Sequence, residues 1–143
     1  MSRKINRYTI KIIKDRHATH SLQVHLIFVT KFRYKVFNGD HISFLDGIFK
    51  ETLQQMGAEL LEFNGEEDHV HLLVQYPPKY SISAIVSNLK GRSSRLIRKE
   101  FNDVSYRFYG NAKLWHRSYF TGSVGGTTLT VLKNYIQNQN SPD

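Results

Sequence analysis

The sequence predicts a single α+β domain in which an antiparallel sheet packs against helices. Hydrophobic residues make up 40% of the 143 residues and charged residues 22%, which are ordinary values for a globular protein. The length is close to that of one domain, and no linker, internal repeat or low-complexity tract divides the chain. Segments with strand and helix spacing follow each other in the order strand, helix, strand, strand, helix, strand, helix.

The first predicted elements are a strand, a turn region and a helix. Residues 22–30 (LQVHLIFVT) are rich in β-branched and aromatic side chains, which favour a strand. Residues 31–39 (KFRYKVFNG) form a basic and aromatic turn region. Residues 40–56 carry apolar side chains at helical spacing, and Gly57 is placed to end that helix. Residues 1–20 are polar and basic, and we expect an arm or irregular lead-in of unknown role.

The remaining predicted elements follow residue 57. They are strands at 58–63, 69–76 and 115–121, a helix from Ser81 or Ser83 to about 101, and a last helix at 127–140. Asn64-Gly65 has the composition of a hairpin turn between the first two of these strands. Pro77-Pro78 ends the next strand, and Gly125-Gly126 precedes the last helix.

The first six elements have the order of a ferredoxin-like (RRM-like) split β-α-β sandwich, with both helices on one face of the sheet. In the first strand His25, Ile27 and Val29 alternate with three apolar side chains on the other parity. Both faces of the sheet therefore carry apolar groups, and two helices can cover only one of them. The other face needs the C-terminal helix, a partner subunit or a ligand, and its apolar character favours a dimer.

Composition excludes several classes of protein. There is no cysteine, so a disulfide framework, a thiolate zinc site and a cysteine nucleophile are all excluded. The longest strongly apolar run, residues 22–29, is far shorter than the roughly 20 residues of a membrane helix. The basic N-terminus lacks an apolar signal core. We therefore expect a cytoplasmic, nucleoid-associated protein with no membrane partner.

The charge of the chain indicates a polyanionic partner. The net charge is +8 and the isoelectric point is near 9.8. Residues 1–35 hold nine basic side chains and one acid, and residues 90–99 hold five basic side chains and no acid. Clustered positive charge is typical of nucleic-acid binding, although a basic surface can also serve solubility alone.

A pair of histidines begins the third predicted strand. His69 and His71 are two residues apart, so their side chains lie on the same face, with Cβ atoms roughly 7 Å apart. Two imidazoles in this arrangement can share one divalent cation. The pattern alone also fits a coincidence or a hydrogen-bonded surface feature, because the chain has 7 histidines.

The last predicted helix carries a tyrosine and a glutamine that complement this pair. Tyr135 and Gln139 are four residues apart and share one helix face. Gln139 offers an oxygen ligand, and Tyr135 offers a phenol that can attack phosphorus. The alternative is an interfacial tyrosine beside a solvated glutamine.

Together these motifs resemble the HUH single-tyrosine transposases of small insertion sequences, a TnpA-like group with REP-associated tyrosine transposases as relatives. The resemblance covers residues 22–140 in order. It depends on five stretches: HLIFVTKFRY from 25, DHVHLLV from 68, LKGRSSR from 89, the approach to the last helix at 115–125, and NYIQNQ from 134.

The resemblance implies that the chain recognises hairpin ends of an insertion sequence and cleaves and rejoins single-stranded DNA. Tyr135 would form a 5′-phosphotyrosine intermediate, and His69, His71 and Gln139 would hold Mg²⁺ or Mn²⁺. It also implies a homodimer in which the tyrosine helix can complete the partner's site. His25 is a candidate general base by its position, although a buried, hydrogen-bonded role is the stronger expectation.

Basic and aromatic residues in the turns and the second long helix are candidates for DNA binding. The basic candidates are Lys31, Arg33, Lys90, Arg92, Arg95 and Lys99. Predicted loops also carry aromatic residues able to stack on unpaired bases, namely Phe32, Tyr34, Phe37, Tyr106, Phe108 and Tyr109. The alternative functions are a non-catalytic ferredoxin-like module that binds single-stranded nucleic acid and, less well supported, a replication or conjugation nickase.

Overall fold

The computed structural model describes residues 13–14, 19–20, 22–108, 112–123 and 129–138. In chain order the elements are β1 (Ile13–Lys14), β2 (Thr19–His20), β3 (Gln23–Val29), a 3-10 turn (Lys31–Arg33), α1 (Gly39–Gln55), β4 (Glu59–Gly65), β5 (His69–Gln75), α2 (Ile82–Glu100), α3 (Asn102–Arg107), β6 (Phe120–Ser123) and α4 (Leu129–Gln137). Gly125-Gly126, Tyr109 and Gln139 lie outside the described residues, as do the predicted limits of the last helix.

Four strands form one antiparallel sheet in the order β4-β5-β3-β6. This is the strand order of a ferredoxin-like fold, so the predicted fold class is confirmed. The order places β5 beside β3 at the centre of the sheet, with Ile27 opposite His71 and Val29 opposite His69. The paired histidines therefore lie on a central strand, where neighbouring strands on both sides fix their positions.

One face of the sheet packs against the two long helices and forms the core. Val24, Leu26 and Phe28 of β3 belong to it, because alternate residues of a strand point to the same face. The helices contribute buried apolar side chains at helical spacing, namely Leu45, Phe49, Leu53, Ile85, Val86, Leu89 and Ile97. Their burial confirms most of the core positions that periodicity predicts for both helices, whereas four predicted positions are only partly buried, namely Ile42, Ile48, Ile82 and Leu96.

The two long helices begin and end where local chemistry predicts. The Asn38 side chain accepts hydrogen bonds from two backbone N–H groups at the start of α1, and Gly57 follows its end with φ 71°. Ser81 caps α2 by accepting a hydrogen bond from the backbone N–H of Ala84. Within the described ranges, no helix is long and apolar enough to cross a membrane.

The turn between β4 and β5 lies later than the sequence predicts. Asn64 and Gly65 are still paired with β5, and the chain turns at Glu66–Asp68 instead. Gly65 is needed there for packing, because a Cβ atom on it would lie 2.7 Å from Cγ2 of Ile42. The glycine thus lets α1 approach the sheet closely and does not shape the turn, so the prediction of an Asn-Gly turn is wrong.

The region between the second long helix and the last strand also differs from the prediction. The predicted strand at 115–121 begins only at Phe120, because Trp115 makes a single bridge to Thr30. The Trp115 indole N–H donates to Ser93 Oγ at 3.0 Å, which fixes the segment to α2. The short helix α3 was not predicted, and Tyr106 lies in it and not in a loop. The strands β1 and β2 lie in the segment predicted to be irregular.

The second face of the sheet is covered within the single chain. Ile27 and Leu73 are each 1% exposed, although they point away from the core helices. The helix α4 contributes to this cover, since its Ile136 lines a cavity together with Ile27. The second face of the sheet therefore has the cover that the sequence predicts. Because that cover comes from the same chain, the apolar character of this face gives no independent support for a dimer.

Candidate active site

His69 and His71 open into one cavity on the second face of the sheet. Its volume is about 550 Å³. The lining residues are Ile27, Arg33, His69, His71, Lys133, Ile136 and Gln137. We call this space the histidine cavity. Residues of β3, β5, α4 and the 3-10 turn meet there, and the prediction that the two histidines share a face is confirmed.

The ring of His69 is oriented by a carboxylate. His69 Nδ1 lies 2.9 Å from Oδ1 of Asp68, and Arg33 Nε donates to Oδ2 of the same carboxylate at 3.0 Å. Burial alone would raise the pKa of Asp68, but hydrogen bonds from His69 and Arg33 and the charge of Arg33 outweigh it and lower the pKa. The carboxylate therefore stays ionised and fixes the His69 ring through Nδ1.

The ring of His71 is oriented by a second histidine. His71 Nε2 lies 2.8 Å from Nδ1 of His25, and the two rings stack with centroids 5.0 Å apart. His25 is diagonal to His71 across β3 and β5, since Leu73 is its direct partner. It is only 7% exposed. The expectation of a buried, hydrogen-bonded His25 is confirmed.

The donor set suits a divalent cation. Two imidazoles that reach one cavity, each held by a hydrogen-bonding partner, are a recurrent arrangement at metal sites. Within the described residues no third histidine or carboxylate joins them in a group that could hold a metal ion. The amide of Gln139, which the sequence predicts as the third ligand, lies outside the described residues.

Tyr135 lies over the same face of the sheet, against β6. Its ring is 5.5 Å from the ring of Phe120 on β6, and its hydroxyl oxygen is buried. Phe120, Ile27 and His71 are aligned across three strands, so β6 is about 10 Å from β5. The helix α4 presents Lys133, Ile136 and Gln137 to the histidine cavity. Among the described lining residues, the tyrosine that the sequence singles out is absent.

A second cavity, of about 800 Å³, lies between α2 and the segment that precedes β6. Its lining residues are Lys31, Lys90, Gly91, Ser94, Arg95, Arg98, Lys113, Leu114, Trp115, His116 and Arg117. Six of them are lysine or arginine, and no acidic side chain is among the described ones. We call it the basic cavity. Its positive charge suits a sugar–phosphate backbone.

The predicted DNA-binding residues separate into different surroundings. Lys31, Lys90 and Arg95 line the basic cavity, whereas Arg33 lines the histidine cavity. Arg92 instead forms an ion pair with Glu51 and a hydrogen bond to Thr52, which joins α2 to α1. Lys99 is exposed near the end of α2.

Lys90 has a structural role within the basic cavity. Its ammonium group donates to the backbone oxygens of His116 and Ser118, at 2.7 and 2.9 Å. The charge also lies over the rings of Phe28 and Tyr119. Lys90 therefore holds the segment before β6 against α2 and builds the cavity wall.

Sequence reasoning missed several lining residues. Arg98, Lys113 and Arg117 complete the basic cavity, and the local sequence around residues 113–117 carries no pattern that assigns them to it. Lys133 and Gln137 were missed on α4, although their four-residue spacing on one helix face was a usable signal.

A sheet that presents paired histidines, together with a cavity lined by six basic residues, suits a protein that acts on nucleic acids. The family model for IS200-like transposases matches residues 18–139 of the chain. The chain therefore belongs to the IS200-like transposase family, whose members act in DNA transposition by cutting and transferring DNA strands. The resemblance drawn from the motifs is confirmed.

Individual relatives support the same assignment. The transposase for insertion sequence element IS200 of Salmonella typhimurium is 30% identical over 127 residues, which cover 89% of this chain and 82% of the relative. The ISDra2 transposase TnpA of Deinococcus radiodurans is 29% identical over 134 residues, covering 94% of this chain and 95% of the relative.

Two solved structures share the fold. A crystal structure of a protein from Deinococcus radiodurans R1 that is assigned as a transposase has a TM-score of 0.82 and 32% identity, covering 90% of this chain and 98% of the other. A REP-associated tyrosine transposase bound to a REP hairpin has a TM-score of 0.51 and 10% identity, covering 92% and 68%. At 10% identity, this second likeness shows the fold alone.

Proposed function

We propose that the chain cleaves and rejoins single-stranded DNA at the hairpin ends of an insertion sequence, with a divalent metal ion and a 5′-phosphotyrosine intermediate. The observation that carries the proposal is the histidine cavity, where two imidazoles face α4 and each is oriented by its own partner. A purely DNA-binding module has no need for imidazoles held in this way. Hairpin DNA is also the ligand named for the REP-associated tyrosine transposase, which shares the fold.

His69, His71 and Gln139 would hold the metal ion. When bound, Mg²⁺ or Mn²⁺ polarises a nonbridging phosphate oxygen and offsets the negative charge that develops on the phosphate. The contacts of Asp68 with His69 and of His25 with His71 fix the two ring planes before any ligand arrives. Preorganisation of this kind lowers the free energy needed to arrange the ligands.

Tyr135 would be the nucleophile. Its phenol oxygen would form a bond to phosphorus while the bond from phosphorus to the 3′ oxygen breaks, the phenol would lose its proton, and the leaving 3′ oxygen would gain one, so that the proton count balances. The products are a 5′-phosphotyrosine and a DNA 3′-hydroxyl. Because one phosphate ester is exchanged for another, the later attack of a 3′-hydroxyl rejoins strands without ATP.

Positive side chains around the two cavities would hold the DNA. Arg33 and Lys133 line the histidine cavity, where a guanidinium and an ammonium can pair with the scissile phosphate. Lys31, Arg95 and Arg117 line the basic cavity and would bind the backbone of a hairpin stem. Lys90 would hold that cavity's wall, and the exposed Lys99 near the end of α2 would add positive charge.

The active form would be a homodimer with the tyrosine supplied in trans. Within one chain the Tyr135 ring packs on Phe120, and the face of α4 that points to the histidines carries other side chains. A tyrosine from the α4 of a partner subunit could reach the histidine cavity if the two helices were exchanged. This arrangement would account for a nucleophile that does not line its own cavity.

The test is cleavage of single-stranded DNA from the ends of the flanking element. The full chain is incubated with the labelled oligonucleotide and Mg²⁺, and the products are separated on a denaturing gel. We expect a shortened strand and a slower-migrating covalent protein–DNA adduct. Binding of the oligonucleotide without either product would support the non-catalytic alternative.

A matched pair of tyrosine variants tests the nucleophile. Tyr135→Phe should abolish both products and leave hairpin binding nearly intact, since only the hydroxyl is lost. Tyr106 was a candidate for base stacking, but it is 84% exposed on α3 and is not among the described residues that line either cavity, so it is set aside as a candidate. Tyr106→Phe makes the same change as Tyr135→Phe and should change nothing. An adduct that persists in Tyr135→Phe would disprove the assignment.

A further inference from the structure

The turn that links β3 to the chain before α1 has strained backbone. Phe32 and Arg33 have φ values of 58° and 54°, and within the described ranges they are the non-glycine residues with positive φ. A non-glycine residue in this conformation is strained and persists only where the surroundings hold it. Neither side chain has the short polar group that favours this conformation. We therefore look for a function of this turn in the side chains that it exposes.

Backbone hydrogen bonds hold the turn from two sides. Thr30 N donates to the carbonyl oxygen of Asp68 at 2.9 Å, next to the histidine pair. Lys31 N donates to the carbonyl oxygen of Leu114, also at 2.9 Å, in the wall of the basic cavity. The Thr30 hydroxyl donates to the carbonyl oxygen of Tyr34 and closes the turn at 2.8 Å. These three hydrogen bonds hold the turn rigidly, so it fixes the positions of the side chains that it carries.

The rigid turn presents an apolar ring to solvent. Phe32 is 39% exposed, whereas Phe37 and Phe108 are buried in the core. Its ring lies 5.5 Å from that of Tyr34, which is backed in turn by Phe108 and by the guanidinium of Arg107. An exposed phenylalanine on a stiff support keeps its stacking geometry, and little conformational entropy is lost when a ligand packs against it.

The turn stands between the two cavities. Lys31, on one side of Phe32, lines the basic cavity, and Arg33, on the other side, lines the histidine cavity. A polyanionic strand that occupied both cavities would have a path across this turn, where Phe32 is exposed. Positive charges on both sides of an exposed ring are typical of surfaces that bind single strands, where phosphates meet cations and bases stack on aromatic rings.

We propose that Phe32 is a stacking platform for one unpaired nucleobase, at the point where a DNA strand leaves the basic cavity and enters the histidine cavity. This proposal rests on the proposed function, because it needs a single strand that spans both cavities. Stacking on a phenylalanine is tolerant of sequence, since every base has a π face. Phe32 thus sets the path of the strand and not its sequence.

The experiment compares two ligands on the full-length protein. One is a hairpin oligonucleotide with a single-stranded tail that carries 2-aminopurine at successive positions, and the other is the same hairpin without a tail. Affinity is measured by fluorescence anisotropy with Phe32→Leu, Phe32→Trp and the control Tyr106→Leu. Phe32→Leu keeps an apolar side chain and removes the aromatic face, whereas Phe32→Trp restores a larger one.

We expect Phe32→Leu to weaken binding of the tailed hairpin by about 5- to 150-fold, the effect of one base–aromatic stack of roughly 1–3 kcal/mol. The affinity of Phe32→Leu for the blunt hairpin should equal that of the wild-type protein. The control Tyr106→Leu should bind both hairpins with wild-type affinity. Wild-type protein and Phe32→Trp should quench 2-aminopurine at one tail position, and Phe32→Leu should not.

Two results would overturn the proposal while the proposed function stands. One is unchanged affinity of Phe32→Leu for the tailed hairpin. The other is an equal loss for both hairpins, because Phe32 would then act through the fold of the turn. If the wild-type protein binds neither hairpin, the proposed function and the stacking platform both fail.

Discussion

Asp68→Asn tests whether a carboxylate prepares His69 for a metal ion. Asp68 accepts one hydrogen bond from His69 at 2.9 Å and one from Arg33 at 3.0 Å, and its side chain is 8% exposed. Asparagine has one acceptor oxygen, so its NH₂ group must face either His69 or Arg33, and the hydrogen bond from that residue is lost. Loss of one buried charge-assisted hydrogen bond lowers the free energy of unfolding by about 1.5–3 kcal/mol. We expect a value near the lower end, because the Arg33 side chain is 25% exposed to solvent.

The same substitution should lower the affinity for Mn²⁺ by about 10- to 100-fold, which is the usual effect of losing a partner that orients a metal-bound histidine. Isothermal titration calorimetry with Mn²⁺ measures this affinity, and urea unfolding measures the stability. The backbone oxygen of Asp68 keeps its hydrogen bond from Thr30, so the turn should remain in place.

Asp103→Asn is the matched control. Asp103 pairs with His41 at 3.1 Å, so the same chemical change is made in a carboxylate–histidine pair away from the histidine cavity. We expect unchanged Mn²⁺ affinity in this variant. Equal losses of affinity in both variants, or none in Asp68→Asn, would refute the argument that Asp68 orients a metal ligand. Absence of Mn²⁺ binding by the wild-type protein would refute the metal site itself.

Three further predictions concern the dimer, the basic cavity and packing. Mixing Tyr135→Phe protein with His69→Ala/His71→Ala protein should partly restore cleavage after subunit exchange, because a trans site then combines intact histidines with an intact tyrosine; proven heterodimers without cleavage would exclude trans assembly. Arg95→Ala should weaken hairpin binding and reduce by about 1 the slope of the logarithm of the binding constant against the logarithm of the salt concentration. The control Lys50→Ala, at an exposed position on α1, should change neither quantity. An equal effect of both substitutions would show that general positive charge suffices for binding. Gly65→Ala should lower the free energy of unfolding in urea by about 1–3 kcal/mol, because the new Cβ atom would collide with Ile42. The control Gly47→Ala, in α1, has open space around its Cβ atom and should be neutral or stabilising. A neutral Gly65→Ala would contradict the close approach of α1 to the sheet at Gly65.

The elements that sequence reasoning predicted correctly are those in which one periodicity runs for a whole element. The helices α1 and α2 carry apolar residues at helical spacing between clear capping residues, and β3 and β5 consist mostly of apolar side chains. The errors lie in short or bridged segments. The helix α3 has only 6 residues, and Trp115 makes a single bridge, so neither provides enough residues for a period to be visible.

The sequence by itself determined the order of the elements, the net positive charge and the shared face of His69 and His71. All three depend on neighbouring residues, since strand alternation is a local property of the backbone. The assignment of roles to Tyr135 and Gln139 came from the family resemblance and stays a prediction.

Only the tertiary structure decided which groups act on each other. His25 meets His71 across 46 residues, and Arg33 meets Asp68 across 35, because strand register and a strained turn bring them together. The same packing paired Arg92 with Glu51 and directed the ring of Tyr135 onto Phe120. Contacts between distant residues depend on how whole elements are arranged, and no spacing along the chain encodes that arrangement.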